Sequence, residues 1–87
     1  MKIKLFTKTN CPRCPPAKAL CEDLKEQCVI ESYSIDERDG LAEASFYSVM
    51  STPSIIIVKI NDECEVKGFR GDVPKKEEVL AVLKNGN

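Results

Sequence analysis

The stretch "TKTNCPRCPPAK", residues 7–18, sets two cysteines three apart in a run that also holds Pro12, Pro15 and Pro16. Five cysteines occur in the 87-residue chain, and only Cys11 and Cys14 form a Cys-x-x-Cys pair. Such a pair can bind a metal, staple a fold or exchange electrons, and its flanks decide between these. Upstream, Ile3, Leu5 and Thr7 alternate with Lys4, Phe6 and Lys8, which predicts a strand over residues 2–7. Downstream, Ala17, Leu20, Cys21, Leu24 and Cys28 recur at steps of three and four, which predicts one buried helix face over residues 12–27. Cys11 therefore lies where a strand hands over to a helix.

The remaining segments extend the alternation. "VIESYSI", residues 29–35, is rich in β-branched residues and tyrosine and predicts a second strand. "GLAEASFYSV" predicts a short second helix. "SIIIVKI", residues 54–60, is the most apolar run and suits a central strand buried on both faces. Asn61-Asp62 is a tight-turn signal leading into "ECEVKGF", its hairpin partner. Pro74 suits the start of a last helix over "KKEEVLAVLKNG", and Gly86 its end. The expected order is β-α-β-α-β-β-α, an α/β fold with a mixed four-stranded sheet covered by three helices. The first crossover should be parallel and right-handed, the later hairpin antiparallel. No repeat or linker divides the chain, so residues 1–87 are expected to form one domain.

Composition narrows the class of function. Hydrophobic residues make up 43% and charged residues 31%, the balance of a globular protein. A formal net charge of −1 argues against nucleic acid as a partner. "MKIKLFTK" interrupts its apolar residues throughout, and no run approaches bilayer length, so neither a signal peptide nor a membrane association is expected. An odd cysteine count argues against a fully paired secreted framework and favours the reducing cytoplasm.

The pair's position also has chemical consequences. At a helix N-terminus, free backbone N–H groups and the positive end of the helix dipole favour a thiolate, which is the nucleophile of disulfide exchange. Cys11 is expected to be this nucleophile. Cys14, three residues on, begins the apolar stripe of Ala17 and Cys21 and is expected to resolve. Pro12 is expected in the first helical turn, where a missing N–H costs nothing. Pro15 and Pro16 should leave the carbonyls of Cys11 and Pro12 without helical partners. Arg13 is expected to add a positive charge beside the Cys11 sulfur. A zinc site drawn from Cys11, Cys14, Cys21 and Cys28 would span too much helix to close around one ion. Cys21, Cys28 and Cys64, the last alternating with Val66, are expected to pack in the core.

With "NCPRC" after a strand, "STPS" before an apolar strand and "GFRGDVPKKEEV" before a last helix, the chain resembles the thioredoxin/glutaredoxin family over essentially its whole length. Its size and immediate strand start resemble the small redoxins, glutaredoxin-like or archaeal mini-thioredoxin. The resemblance implies a thiol–disulfide oxidoreductase, an electron carrier that needs no cofactor beyond its redox-active disulfide. It implies a cis Thr52–Pro53 bond facing Cys11, with the Thr52 backbone ready to pair with an extended substrate. Lys8 matches the glutaredoxin lysine that meets a glutathione carboxylate, and Gly71 and Asp72 stand where such proteins grip the rest of that cosubstrate. Arg13 in place of tyrosine, and Val73-Pro74 after Gly71-Asp72, depart from the glutathione pattern. Leu5 stands where full thioredoxins bury an acid. The favoured reading is a reductant of disulfide-containing proteins, served by an upstream reductase and acting as a monomer. A glutathione-dependent glutaredoxin comes second, and a metal or iron–sulfur module is the alternative from another class.

Overall fold

The computed structural model describes residues 1–85. Its elements are β1 (Lys2–Thr7), α1 (Cys14–Leu24), β2 (Val29–Ser34), α2 (Arg38–Phe46), β3 (Ser54–Val58), β4 (Glu65–Arg70) and α3 (Lys76–Asn85). The sheet runs β2-β1-β3-β4. β1 pairs with β2 in parallel and with β3 antiparallel, and β4 pairs antiparallel with β3. This is the mixed four-stranded α/β arrangement with three helices that the element order implied.

Strand periodicity divides the core in two. Ile3, Leu5, Ile55 and Ile57 join Ala17, Leu20, Cys21 and Leu24 of α1 and Val79 of α3 in one apolar cluster. The alternate positions Phe6, Ile56 and Val58 join Ala44, Tyr47 and Val49 in a second. Every residue of β3 is buried, as expected of a central strand. Gly40, in the first turn of α2, lies so close to β2 that a Cβ there would stand 1.9 Å from the Ser34 carbonyl oxygen.

Several expected boundaries are corrected. Pro12 lies in a turn before α1, not in its first helical turn; Pro15 and Pro16 occupy that turn instead, where the absent N–H groups are unpaired in any helix. The Cys11 carbonyl is not orphaned, because the Cys14 amide donates to it at 3.3 Å. At the other end, the Lys25 and Gln27 amides bond the carbonyls of Glu22 and Leu24, a tightened turn that ends α1 before residue 27. α2 begins at Arg38, ahead of Gly40, because the Leu41 amide bonds the Glu37 carbonyl at 2.8 Å. Pro74 precedes α3 without entering it, and the expected stop at Gly86 lies outside the described residues.

The β3–β4 connection is longer than a two-residue hairpin. It closes through the Lys59 amide to the Cys64 carbonyl and the Glu63 amide to the Lys59 carbonyl, with Glu63 at a positive φ of 57°. Cys64 thus stands outside β4 and is exposed, which corrects its assignment to the core. Cys21 is buried as expected, and Cys28 is half-buried against the same cluster.

The loop has a second effect: it carries Glu63 to the side chains of β1. Lys2 Nζ lies 2.7 Å from Glu63 Oε2, and Lys4 Nζ 3.0 Å from Oε1. These two ammonium groups hold the Glu63 carboxyl down to about 2, from an ordinary 4.5. A carboxyl lowered by folding contributes stability that is full above its unfolded value and is lost as pH falls through its folded one. Thermal unfolding followed between pH 6 and 2 should therefore show a midpoint that declines below about pH 4.5. Glu63→Gln should flatten that decline; an unchanged slope would show that the contacts contribute nothing.

Candidate active site

Strand register brings three loops to one end of the sheet. β1 is antiparallel to β3 with Phe6 opposite Ser54, and β3 is antiparallel to β4 with Ser54 opposite Arg70. The segment leaving β1, the segment entering β3 and the segment leaving β4 therefore meet. These are Lys8–Arg13, Ser51–Pro53 and Gly71–Asp72.

The first loop is fixed on both sides. The Thr9 amide donates to Asp36 Oδ2 at 2.7 Å, which keeps the Asp36 carboxyl below its ordinary range. Asn10 adopts a positive φ of 60°, a conformation that asparagine tolerates better than most residues, and turns the chain into Cys11. Cys11 and Cys14 are joined in a disulfide with a Cα–Cα separation of 5.4 Å. Cys14 is 3% exposed and Cys11 is half-buried, so the two residues differ in access. Beside them an open cavity of about 600 Å³ is lined by Lys8, Thr9, Asn10, Cys11, Pro12, Cys14, Pro15 and Lys18.

The second loop contains a cis Thr52–Pro53 bond. Its Thr52 hydroxyl oxygen is buried with no hydrogen-bond partner among the described residues. The third loop is fastened to the second. Gly71 N–H donates to Ser54 Oγ at 3.1 Å, the Ser54 hydroxyl to the Ser51 carbonyl at 2.8 Å, and Asp72 N–H to the Pro53 carbonyl at 3.1 Å. Gly71 needs its missing side chain twice over: its φ is +70°, and a Cβ would lie 2.7 Å from Ser51 Oγ.

Arg13 differs from its sequence reading. Its guanidinium donates to the Gly71 carbonyl at 3.3 Å and to Asp72 Oδ1 at 3.1 Å. It therefore does not offer an unopposed positive charge to the Cys11 sulfur, because the nearest carboxylate shares that charge. Gly71 and Asp72, singled out as ligand contacts, spend these groups within the chain. The residues the sequence did not single out are Asn10, Ser51 and Ser54. A turn-forming asparagine directly before the first cysteine, and serines flanking Thr52-Pro53, were the available signals.

The other cysteines are set apart from the pair by burial. Burial pushes the Cys21 thiol up to about 11, with help from neighbouring Cys28, and burial raises Cys28 as well. Cys64 is exposed. Alkylation of the oxidised protein at pH 7, read by peptide mass, should label Cys64 first, Cys28 slowly, and Cys21 only on unfolding. Rapid labelling of Cys21 would contradict this packing. Among the described residues no group of three or more His, Cys, Asp or Glu side chains is placed to hold a metal ion. No described helix is long and apolar enough to cross a membrane.

Comparison with known proteins places these features in context. A family model described as a thioredoxin domain matches residues 1–84. A thioredoxin of Methanocaldococcus jannaschii is 31% identical over 86 residues, covering 97% of this chain and 93% of its own length. Thioredoxin 1 of the thermophilic eubacterium Thermosipho africanus superposes with a TM-score of 0.70 at 21% identity, over 99% of this chain and 93% of that one. A thioredoxin from Thermus thermophilus superposes with a TM-score of 0.70 at 23% identity, over 98% of this chain and 72% of that one. At such identities the two superpositions speak for the fold.

Proposed function

This chain belongs to the thioredoxin family, and on that premise we propose that it is a protein-disulfide reductant in which Cys11 attacks and Cys14 resolves. Members of the family are thiol–disulfide oxidoreductases that act on protein disulfides and are served by reductases. The observation that carries the finer reading is the contrast in access across one disulfide: Cys11 is half-buried, Cys14 is 3% exposed.

The reaction starts from the reduced pair. The Cys11 thiolate, favoured by its place beside the first turn of α1, attacks one sulfur of a substrate disulfide. That S–S bond breaks, and the second substrate sulfur departs as a thiolate that takes up a proton. Cys14 then gives up its proton and attacks the Cys11 sulfur of the mixed disulfide, releasing the first substrate sulfur. Two electrons have passed to the substrate, and the Cys11–Cys14 disulfide remains. An external dithiol-bearing reductase returns the two electrons. The unpaired Cys21, Cys28 and Cys64 fit a reducing compartment such as the cytoplasm.

Lys8 favours a second reading, glutathione as reductant, since it lines the cavity beside Cys11. Against it, Gly71 and Asp72 are engaged with Arg13. Reduction of the oxidised protein by glutathione with glutathione reductase, set against a thioredoxin reductase from the same source, separates the two. The protein-reductant reading expects the second system to be the faster by at least tenfold. Faster reduction by glutathione would reverse the order. A metal module would instead appear as stoichiometric metal in protein purified without chelator.

A further inference from the structure

Arg13, one of the two residues between the cysteines, reaches across to the turn after β4. Arg13 meets Asp72 through one guanidinium nitrogen and one carboxylate oxygen, 3.1 Å apart, with side chains 57% and 66% exposed. An exposed pair of this kind contributes only about 0.2–1 kcal/mol. It adds little to the bonds of Ser54, Gly71 and Asp72 that already fasten the third loop to the second. With the bond to the Gly71 carbonyl at 3.3 Å, it biases the guanidinium toward the rim of the site before any substrate arrives.

The charges around Cys11 point the same way. The cavity beside the pair is lined by Lys8 and Lys18 and by no acidic side chain, the carboxylate beside its lining being Asp36, bonded to the Thr9 amide. This cationic collar stands in a chain of net charge −1, so it is local and not a consequence of composition. Asp72 is the carboxylate bonded to Arg13 there, and a carboxylate from outside could take its place at little net cost. A basic side chain in that position would meet the Arg13 guanidinium and have to compete with it for Asp72, with Lys8 and Lys18 lining the adjoining cavity.

We propose that Arg13 is a specificity-determining residue that favours protein disulfides flanked by acidic residues, its guanidinium passing from Asp72 to a substrate carboxylate as the substrate docks. This rests on the protein-reductant reading. Asp72 serves as the resting partner that keeps the arm in place, and Lys8 and Lys18 add attraction of longer range that salt screens.

Two disulfide-linked peptides that differ only in Glu or Lys beside the cysteines test this. Second-order rate constants for their reduction by the prereduced full chain would be measured at low and high salt. The wild type should reduce the Glu peptide faster, by a margin that narrows with salt. Arg13→Gln should cut the Glu-to-Lys rate ratio by about 3- to 5-fold, the scale of one exposed charge pair, and Arg13→Lys should restore part of it. Asp72→Asn keeps the Oδ1 acceptor of the Val73 amide but removes the competing carboxylate charge, and should raise the Glu-peptide rate; a fall or no change would overturn the exchange of partners. If Arg13→Gln leaves the ratio unchanged, the inference fails while the reductant reading stands. If the wild type reduces neither peptide, the reductant reading itself fails and the inference goes with it.

Discussion

Replacing Cys14 with serine is expected to leave the protein covalently joined to its substrate, whereas Cys11→Ser should trap almost nothing. Exchange passes through a mixed disulfide on the attacking sulfur, and the Cys14 sulfur is what releases it. Without Cys14, the adduct on Cys11 has no neighbouring thiol to resolve it, because Cys21 is 3% exposed and its thiol is pushed up to about 11. Without Cys11, the remaining Cys14 is buried at the head of the apolar stripe formed by Ala17, Leu20, Cys21 and Leu24, and burial disfavours its thiolate. Turnover should fall by several orders of magnitude in both variants, the scale seen when a nucleophile is removed. Non-reducing electrophoresis after mixing with a disulfide-containing protein distinguishes them. Adducts from Cys11→Ser and none from Cys14→Ser would invert the roles.

The largest expected effect on stability comes from Lys4, far from the cysteines. Its side chain is 2% exposed, on the face of the sheet opposite α1, and its ammonium lies 3.0 Å from Glu43, 3.0 Å from Glu63 and 3.4 Å from Glu31. The rings of Tyr33 and Tyr47 flank it, each 5.4 Å from the ammonium to the centroid. Burial opposes the charge, but hydrogen bonds to Glu63 and Glu43 outweigh it, so Lys4 titrates above ordinary lysine and stays charged. Lys4→Met nearly conserves volume and takes a cation from all three carboxylates, of which Glu31 and Glu63 keep Lys2 at 3.1 and 2.7 Å while Glu43 loses the partner given above. Breaking one side of a buried pair typically costs 3–5 kcal/mol; because these carboxylates are 27–41% exposed and can rehydrate, about 2–3 kcal/mol is expected here. For a domain of this size that lowers the melting midpoint by roughly 10–20 °C. The deficit should shrink in acid, as the carboxylates protonate. A variant as stable as the wild type would show that the cluster contributes no net stability.

Lys4 also marks the limit of what the sequence made legible. Alternation along residues 2–8 correctly set Lys4 and Phe6 on the face opposite Ile3 and Leu5, yet nothing local says that this face is covered. The carboxylates that neutralise Lys4 come from β2, α2 and the β3–β4 loop, and only the packed fold collects them. Long apolar periods were readable for the same reason that they are robust: "SIIIV" admits few burial patterns other than a central strand. Turn chemistry was less so. Asn61-Asp62 is a two-residue turn signal, but the Asn61 and Asp62 side chains accept from the amides of Asp62 and Cys64, one and two residues on, within a longer loop. That lengthening is what leaves Cys64 exposed. At the site, the Cys-x-x-Cys spacing and its place between strand and helix were local facts and easily read. The direction of Arg13 was not, since its partners lie 58 and 59 residues away.

A protein-disulfide reductant of this kind passes two electrons from Cys11 and Cys14 to its substrate. Mass analysis of prereduced protein, mixed with a substoichiometric disulfide-containing protein and then quenched with an alkylating agent, measures this directly. The prediction is one Cys11–Cys14 disulfide formed for each substrate disulfide opened, with Cys21, Cys28 and Cys64 all remaining as thiols. Substrate thiols appearing while Cys11 and Cys14 stay reduced, or disulfides that involve the other three cysteines instead, would contradict it.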